Sequence, residues 1–190
     1  MSSLFKNTNN TRQILPGSYR FIRSDVPLNI TENEIQWLIE NQILTIVDLR
    51  ESSEYEQRIC PLKNHPDFRY LHMPVTGGNV IPGAPDQVSA AYIRMVDEQM
   101  QKIIDTIWYA ESNVLYFCSA GKDRTGVVSA LLLIRAGANQ QEIIEDYLES
   151  TDNLKDLLHM FARNHPEVDI NVITPQKRYM EEFLAHFERI

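Results

Sequence analysis

Apolar residues recur along this chain in two alternating rhythms. Short β-branched runs are separated by stretches whose apolar positions fall three or four residues apart. The first pattern fits buried strands and the second amphipathic helices. Residues 19–23 read as an early strand. Thr31-x-x-Glu34 resembles a capping box and opens a helix carrying Ile35, Leu38 and Ile39 at helical spacing. Residues 43–49 form a β-branched apolar run of the kind buried on both faces of a sheet, and residues 68–75 read as the next strand. Residues 76–85 hold Gly77, Gly78, Pro82, Gly83 and Pro85, which marks a loop. Residues 86–109 are predicted as one helix, with Val88, Ala91, Tyr92, Met95 and Met100 among its apolar positions. Residues 114–117 are the central strand. An apolar helix over 125–135 is stopped by Gly137 at the position after its C-cap. Asn139-x-x-Glu142 starts another helix reaching about 149. Thr174-Pro175 supplies an N-cap and a first-turn proline for a last helix running to the chain end. This alternation predicts an α/β fold: a central, mostly parallel sheet of about four to five strands flanked by helices.

Bulk properties narrow the reading. The 190 residues fit a single domain over 1–190. Polar residues 1–10, and the segment to about 12, are expected to be a flexible lead-in. The formal charge of −8 argues against a general nucleic-acid binder, which needs phosphate-neutralising cations. Two cysteines make no disulfide framework. The N-terminus shows no secretory signal and no stretch is long and apolar enough for a membrane span. A cytoplasmic protein is therefore expected, with export by other routes left open. The five histidines show no metal-ligand spacing, so neither a metal nor a cofactor is expected.

The chemistry concentrates in Cys118-Ser119-Ala120-Gly121-Lys122-Asp123-Arg124-Thr125-Gly126. A cysteine ends a strand, and six positions later an arginine starts a helix. The first amides of a helix lack intrahelical acceptors, and its dipole favours an anion there. Gly121 lets the backbone bend so that successive amides converge on such an anion. Arg124 adds a fork that binds two phosphate oxygens at once, and the same positive field favours a thiolate at Cys118. A thiolate facing bound phosphate is a nucleophile in place. Ser119, Ala120, Gly121, Lys122, Asp123 and Arg124 are thus candidate phosphate binders. Cys118 and Arg124 are candidate catalytic residues, and Thr125 is placed to donate its hydroxyl to the sulfur. Cys118 and Asp48-Leu49-Arg50 both fall at strand carboxyl ends, where parallel sheets place ligands. Lys122 is a second cation suited to substrates with more than one phosphate, or else a solvated loop lysine.

This nine-residue segment resembles the signature loop of the protein tyrosine phosphatase superfamily, in the Gly-Lys-Asp-Arg-Thr-Gly variant of a bacterial branch with dual or triple specificity. Ile46-Val47-Asp48-Leu49-Arg50 with Glu54, Leu71-His72-Met73-Pro74-Val75, and Asp146-Tyr147-Leu148-Glu149-Ser150-Thr151-Asp152-Asn153-Leu154 look like further segments of that branch. The resemblance implies hydrolysis of phosphate monoesters through a phosphocysteine. Its expected substrates are phosphorylated proteins (phosphotyrosine, phosphoserine or phosphothreonine) or phosphoinositides, without a metal. One position departs from the branch, which usually has histidine before the cysteine where this chain has Phe117; a less finely tuned thiolate is the expected result. An inactive phosphate-reading module is the alternative function.

Such chemistry needs a general acid. Asp123 is the first candidate. Asp86 follows the Gly/Pro-rich loop, although an aspartate there is also an ordinary N-cap. Asp48 lies at a strand end, although Asp48 or Glu54 paired with Arg50 in a structural network is the more ordinary arrangement. Arg50 is read as a structural ion-pair partner before a phosphate ligand, His72 as a packed or surface strand residue before a pocket neighbour, and Tyr147 as core. Cys60 is a weak candidate for a protective disulfide with Cys118.

Overall fold

In the computed structural model, which describes residues 3–187, an antiparallel hairpin comes first, made of β1 (Arg12–Leu15) and β2 (Ser18–Asp25). Then follow α1 (Glu32–Glu40), β3 (Ile43–Asp48), α2 (Ser52–Gln57), β4 (Arg69–His72), α3 (Val88–Arg94), α4 (Glu98–Trp108) and β5 (Asn113–Cys118). The chain continues through α5 (Asp123–Arg135), α6 (Gln140–Asn153), α7 (Lys155–Asn164), α8 (Ile170–Ile173) and α9 (Lys177–Phe187). The five strands lie in the order β1-β2-β5-β3-β4. All neighbours are parallel except the edge pair β1 and β2. The fold is α/β with a mostly parallel sheet flanked by helices, as the alternation of apolar rhythms predicts.

The period of two sorts side chains between the faces. Val114, Tyr116 and Cys118 of β5 join Val47, Leu49 and apolar residues of α3, α4, α5, α6 and α9 in one cluster. Leu115 and Phe117 point the other way and pack with Ile22, Ile46, Leu38 of α1 and Cys60. Phe117 and Cys118 are therefore adjacent in sequence but on opposite faces of the sheet. Both cysteines are free and buried, each in a different cluster, and burial pushes the Cys60 thiol up to about 12.

The α1 capping box forms: the Glu34 amide donates to Thr31 Oγ1, and the Thr31 amide to Glu34 Oε2. Gly137 follows α5 with φ +82°. Several boundaries differ from the sequence expectation. The helix expected over 86–109 is two helices, because Asp97 adopts an extended backbone and its carboxylate caps Met100, starting α4 anew. The helix from Asn139 continues to Asn153, four residues further than expected, while α7, α8 and the edge strand β1 were not foreseen. The final helix starts at Lys177, two residues after Pro175, and its last predicted residues, 188–190, lie outside the described residues.

The largest correction concerns the N-terminal segment. Residues 3–12 are not a loose lead-in. Phe5, Thr8, Asn10, Thr11 and Arg12 are buried, and the amides of Asn9 and Asn10 donate to the Asp25 carboxylate at the end of β2. No helix among the described residues is long and apolar enough to cross a membrane.

Candidate active site

Sheet register brings Asp25, Cys118 and Asp48 to one edge, since Asp25 pairs with Cys118 and Asp48 with Phe117. The chain leaves β5 at Cys118, turns through Ser119 to Lys122 and enters α5 at Asp123. The turn's carbonyls are claimed from behind. Val26 N–H donates to the Ser119 carbonyl at 3.3 Å. Asn10 Nδ2 and Arg23 Nη2 both donate to the Gly121 carbonyl at 2.8 Å. Gly121 sits at φ +65°, and a Cβ there would lie 2.5 Å from the Asp25 amide nitrogen and closer still to the Ser24 carbonyl. Only glycine lets the turn press this near to β2. With the carbonyls turned out, the amides of Ser119 through Thr125 donate to no protein acceptor among the described residues. They form a concavity of unpaired amides at a helix start, a geometry suited to an anion.

Arg23 and Asn10 are held in turn by a buried ionic cluster. Arg12 Nε reaches Asp146 Oδ1 at 3.1 Å and Arg12 Nη2 reaches the Asp146 carbonyl at 2.6 Å. Arg23 Nη1 makes a close ion pair with Asp146 Oδ2. Ser150 of α6 accepts from Asn10 and Arg12. Burial, then the neighbouring Arg23, lower the Arg12 pKa to about 10 against the pull of Asp146 and Glu149. Sequence reading did not find this clamp. Asp146-Tyr147-Leu148 carried a signal, but its partners lie more than a hundred residues upstream.

Arg124 is fixed by Glu54 of α2. Nη1 makes a close ion pair with Oε2, and Nη2 lies 2.9 Å from Oε1. Ser119 Oγ donates to the same Oε1 at 2.5 Å. Burial raises the Glu54 pKa, but the hydrogen bonds from Arg124 and Ser119 outweigh it and hold the carboxyl at about 2. Burial opposes the charge of Arg124, and Glu54 with the nearby Cys118 overcomes this and raises its pKa above the ordinary arginine value. A guanidinium has five N–H donors; two go to Glu54, which leaves three for an incoming oxyanion. The stem of Arg124 is covered by Gly78, where a Cβ would lie 2.5 Å from Arg124 Cδ.

Ser119, Lys122, Asp123, Arg124 and Glu54 line a cavity of about 280 Å3. Apart from Gly78, Asn79 and Tyr92, its other walls are apolar: Val80, Ile81 and Pro82 of the loop, Val88, Ala91 and Met95 around α3, Phe161 of α7, and Val172 and Ile173 of α8. Cys118, Ala120, Gly121 and Thr125 are not in this lining, and Cys118 is only 2 % exposed. Lys122 is also buried, its Nζ 2.9 Å from Asp123 Oδ1, so it is not a solvated loop lysine. Thr125 Oγ1 is buried without a hydrogen-bond partner, so the expected bond to sulfur is not made in this arrangement.

The three candidate acids separate. Asp123 faces the cavity with its side chain 37 % exposed, and Tyr92 OH donates to its Oδ1 at 2.5 Å. Asp86 is exposed and absent from the cavity walls. Asp48 is fully buried and committed to Arg50 Nε and Nη2 and to the Tyr70 hydroxyl at 2.6–2.9 Å. Asp48 and Arg50 are thus a structural pair, and Glu54 belongs to Arg124 instead of Arg50. Behind them the Arg50 guanidinium lies over the Phe117 ring, 5.6 Å from its centre. His72 stacks on Tyr55 and bonds the Arg50 carbonyl, so of the packed and surface alternatives it is the packed one. Among the described residues no cluster of three or more His, Cys, Asp or Glu side chains could hold a metal.

The profile of the "Tyrosine phosphatase family" matches residues 6–190. A "Tyrosine-protein phosphatase" of Nostoc commune is 29% identical over 119 residues, 57% of this chain and 40% of the relative. The "Triple specificity protein phosphatase PtpB" of Mycobacterium tuberculosis is 46% identical over 52 residues, 27% of this chain and 19% of the relative. The chain thus spans less than half the length of these relatives. Among solved structures, the human tyrosine phosphatase-like serine/threonine/tyrosine-interacting protein matches at 14% identity and TM-score 0.46, covering 94% of this chain and 96% of that one. TpbA of P. aeruginosa matches at 17% identity and TM-score 0.43, covering 92% and 94%.

Proposed function

Because the chain belongs to the tyrosine phosphatase family, we propose that it hydrolyses phosphate monoesters through a phosphocysteine, with phosphotyrosine as the favoured substrate. The observation that carries this is the 119–125 turn: its carbonyls are held from behind, its amides are free of protein acceptors, and Arg124 is oriented beside Cys118 with three donors to spare. Cys118 Sγ attacks phosphorus while the bond to the ester oxygen breaks, and Asp123 gives that oxygen its proton. The turn amides and Arg124 stabilise the equatorial oxygens. Water then attacks phosphorus, Asp123 takes its proton, and the thiolate leaves with the S–P bond pair.

The apolar walls contributed by Val88, Ala91, Met95, Phe161, Val172 and Ile173 suit an aromatic ring beneath the phosphate. Lys122 extends the site to phosphoinositides that carry a second phosphate. Its Nζ also holds Asp123, so Lys122→Ala lowers turnover of every substrate. The phosphoinositide reading requires the larger loss there, and equal losses on phosphotyrosine peptide and phosphoinositide count against it. The primary test is metal-free hydrolysis of p-nitrophenyl phosphate and a phosphotyrosine peptide by wild type and Cys118→Ser. Turnover that survives Cys118→Ser, or none in the wild type, rejects the mechanism; binding without turnover would leave a phosphate-reading module.

A further inference from the structure

Asp123 is held by hydroxyls from two helices remote in sequence. Tyr92 OH of α3 donates to Asp123 Oδ1 at 2.5 Å, and Tyr147 OH of α6 lies 2.9 Å from Tyr92 OH. A phenol has one proton. With that of Tyr92 committed to Asp123, Tyr147 is the donor in the second bond, and the chain runs Tyr147 to Tyr92 to Asp123. Both tyrosines are buried, at 2% and 1% exposure, and their rings meet edge to face at 6.1 Å. Burial, with Asp123 beside it, pushes the Tyr92 hydroxyl well up, so it remains a donor. Lys122 Nζ approaches the same Oδ1 at 2.9 Å. No hydrogen bond among the described residues reaches Oδ2, on a side chain 37 % exposed to the cavity.

We propose that Tyr92 is a positioning residue for proton transfer: with Lys122 it pins Asp123 through Oδ1, leaves the exchangeable proton to Oδ2, and sets where activity falls as pH rises. The proposal rests on Asp123 being the general acid. The groups that act on Asp123 come from every side. Lys122 and Arg124 are its chain neighbours, Tyr92 comes from α3, Tyr147 from α6, and Cys118 and Glu54 are partners of Arg124. Arg23 and Tyr179 stand behind Tyr147. Removing the hydroxyl favours protonated Asp123, and a general acid works only while protonated.

The test is the pH profile of kcat/KM on an aryl phosphate with a poor leaving group. Tyr92→Phe is expected to move the alkaline limb up by about one to two pH units, the worth of one hydrogen bond to a carboxylate, with the acid limb unmoved. Tyr147→Phe moves it the same way by less. Asp123→Asn abolishes the limb, and adding Tyr92→Phe to it changes nothing more. A folded Tyr92→Phe whose limb stays or moves down overturns the proposal while leaving the role of Asp123 intact. A limb that persists in Asp123→Asn overturns the general-acid reading itself and the proposal with it. Should Tyr92→Phe not fold, Tyr147→Phe decides, and an unmoved limb there refutes the chain.

Discussion

Replacing Gly121 by alanine separates two costs that usually come together. The left-handed backbone at φ +65° costs an alanine about 1–2 kcal/mol. The second cost is steric: the new Cβ would stand 2.5 Å from the Asp25 nitrogen. That neighbour is strand backbone and cannot rotate away, so the turn must retreat by about 1 Å to reach ordinary contact. Retreat stretches the bonds that Arg23 and Asn10 make to the Gly121 carbonyl, which are worth about 1.5–3 and about 1 kcal/mol. The total is about 3.5–6 kcal/mol, or on the order of 10 °C in Tm for a chain of this size. A shift of this size in the phosphate cradle also costs about 10²-fold in kcat/KM. Gly17→Ala is the control, with φ +72° and nothing within 4 Å of its Cβ, so it bears only the backbone cost. Thermal melts followed by circular dichroism and hydrolysis of a phosphotyrosine peptide read both effects. If Gly121→Ala melts within about 2 °C of Gly17→Ala, or keeps its kcat/KM, the account of the turn pressed against β2 is wrong.

Two further outcomes follow from the ion pairs. Glu54 titrates at about 2 in the fold against an ordinary 4.5, so its stabilisation is complete above 4.5 and is lost as pH falls toward 2. The shift sets a ceiling of about 3.4 kcal/mol, which solvent screening of a side chain 27 % exposed reduces to about 1–2 kcal/mol; urea melts should show wild type more stable than Glu54→Gln by that much at pH 7, the gap closing by pH 3 to 2. Asp146→Asn leaves Arg12 and Arg23 buried with a weakened partner and should cost about 2–4 kcal/mol in urea melts, whereas Asp105→Asn, which loses an exposed pair with Arg135, should cost under about 1 kcal/mol.

What could be read from the sequence was local. The 118–126 turn declares itself because strand, glycine and helix start are contiguous, and the apolar runs of β3 and β5 are short-range information. Glu54 stood inside a recognised motif, yet its partner Arg124 lies seventy residues on, and spacing alone paired it with Arg50. Residues 3–12 read as loose because they are polar. Their polar groups are the reason they dock, since the amides of Asn9 and Asn10 find the Asp25 carboxylate and Asn10 finds Gly121. The break before α4 was legible, as Asp97 is a good cap, but the apolar rhythm on either side concealed it. For α7 and α8 the apolar face turns to the cavity and a small separate cluster, not to the sheet, so no strand-helix alternation announced them.

The clamp on Gly121 also sets an order in time. Asn10 emerges from a ribosome long before its acceptor, 111 residues later in the chain, and before Ser150, 140 residues later. Strand β2 likewise has only its hairpin partner until β5 is made. The first 25 residues can lean on Asp25, Glu34 and Trp37 early, but their contacts to the 118–126 turn and to Ser150 wait until β5 and α6 have been synthesised. A nascent chain that stalls before α6 carries Cys118 and its turn without the Asp146 and Ser150 side chains that hold the clamp behind it.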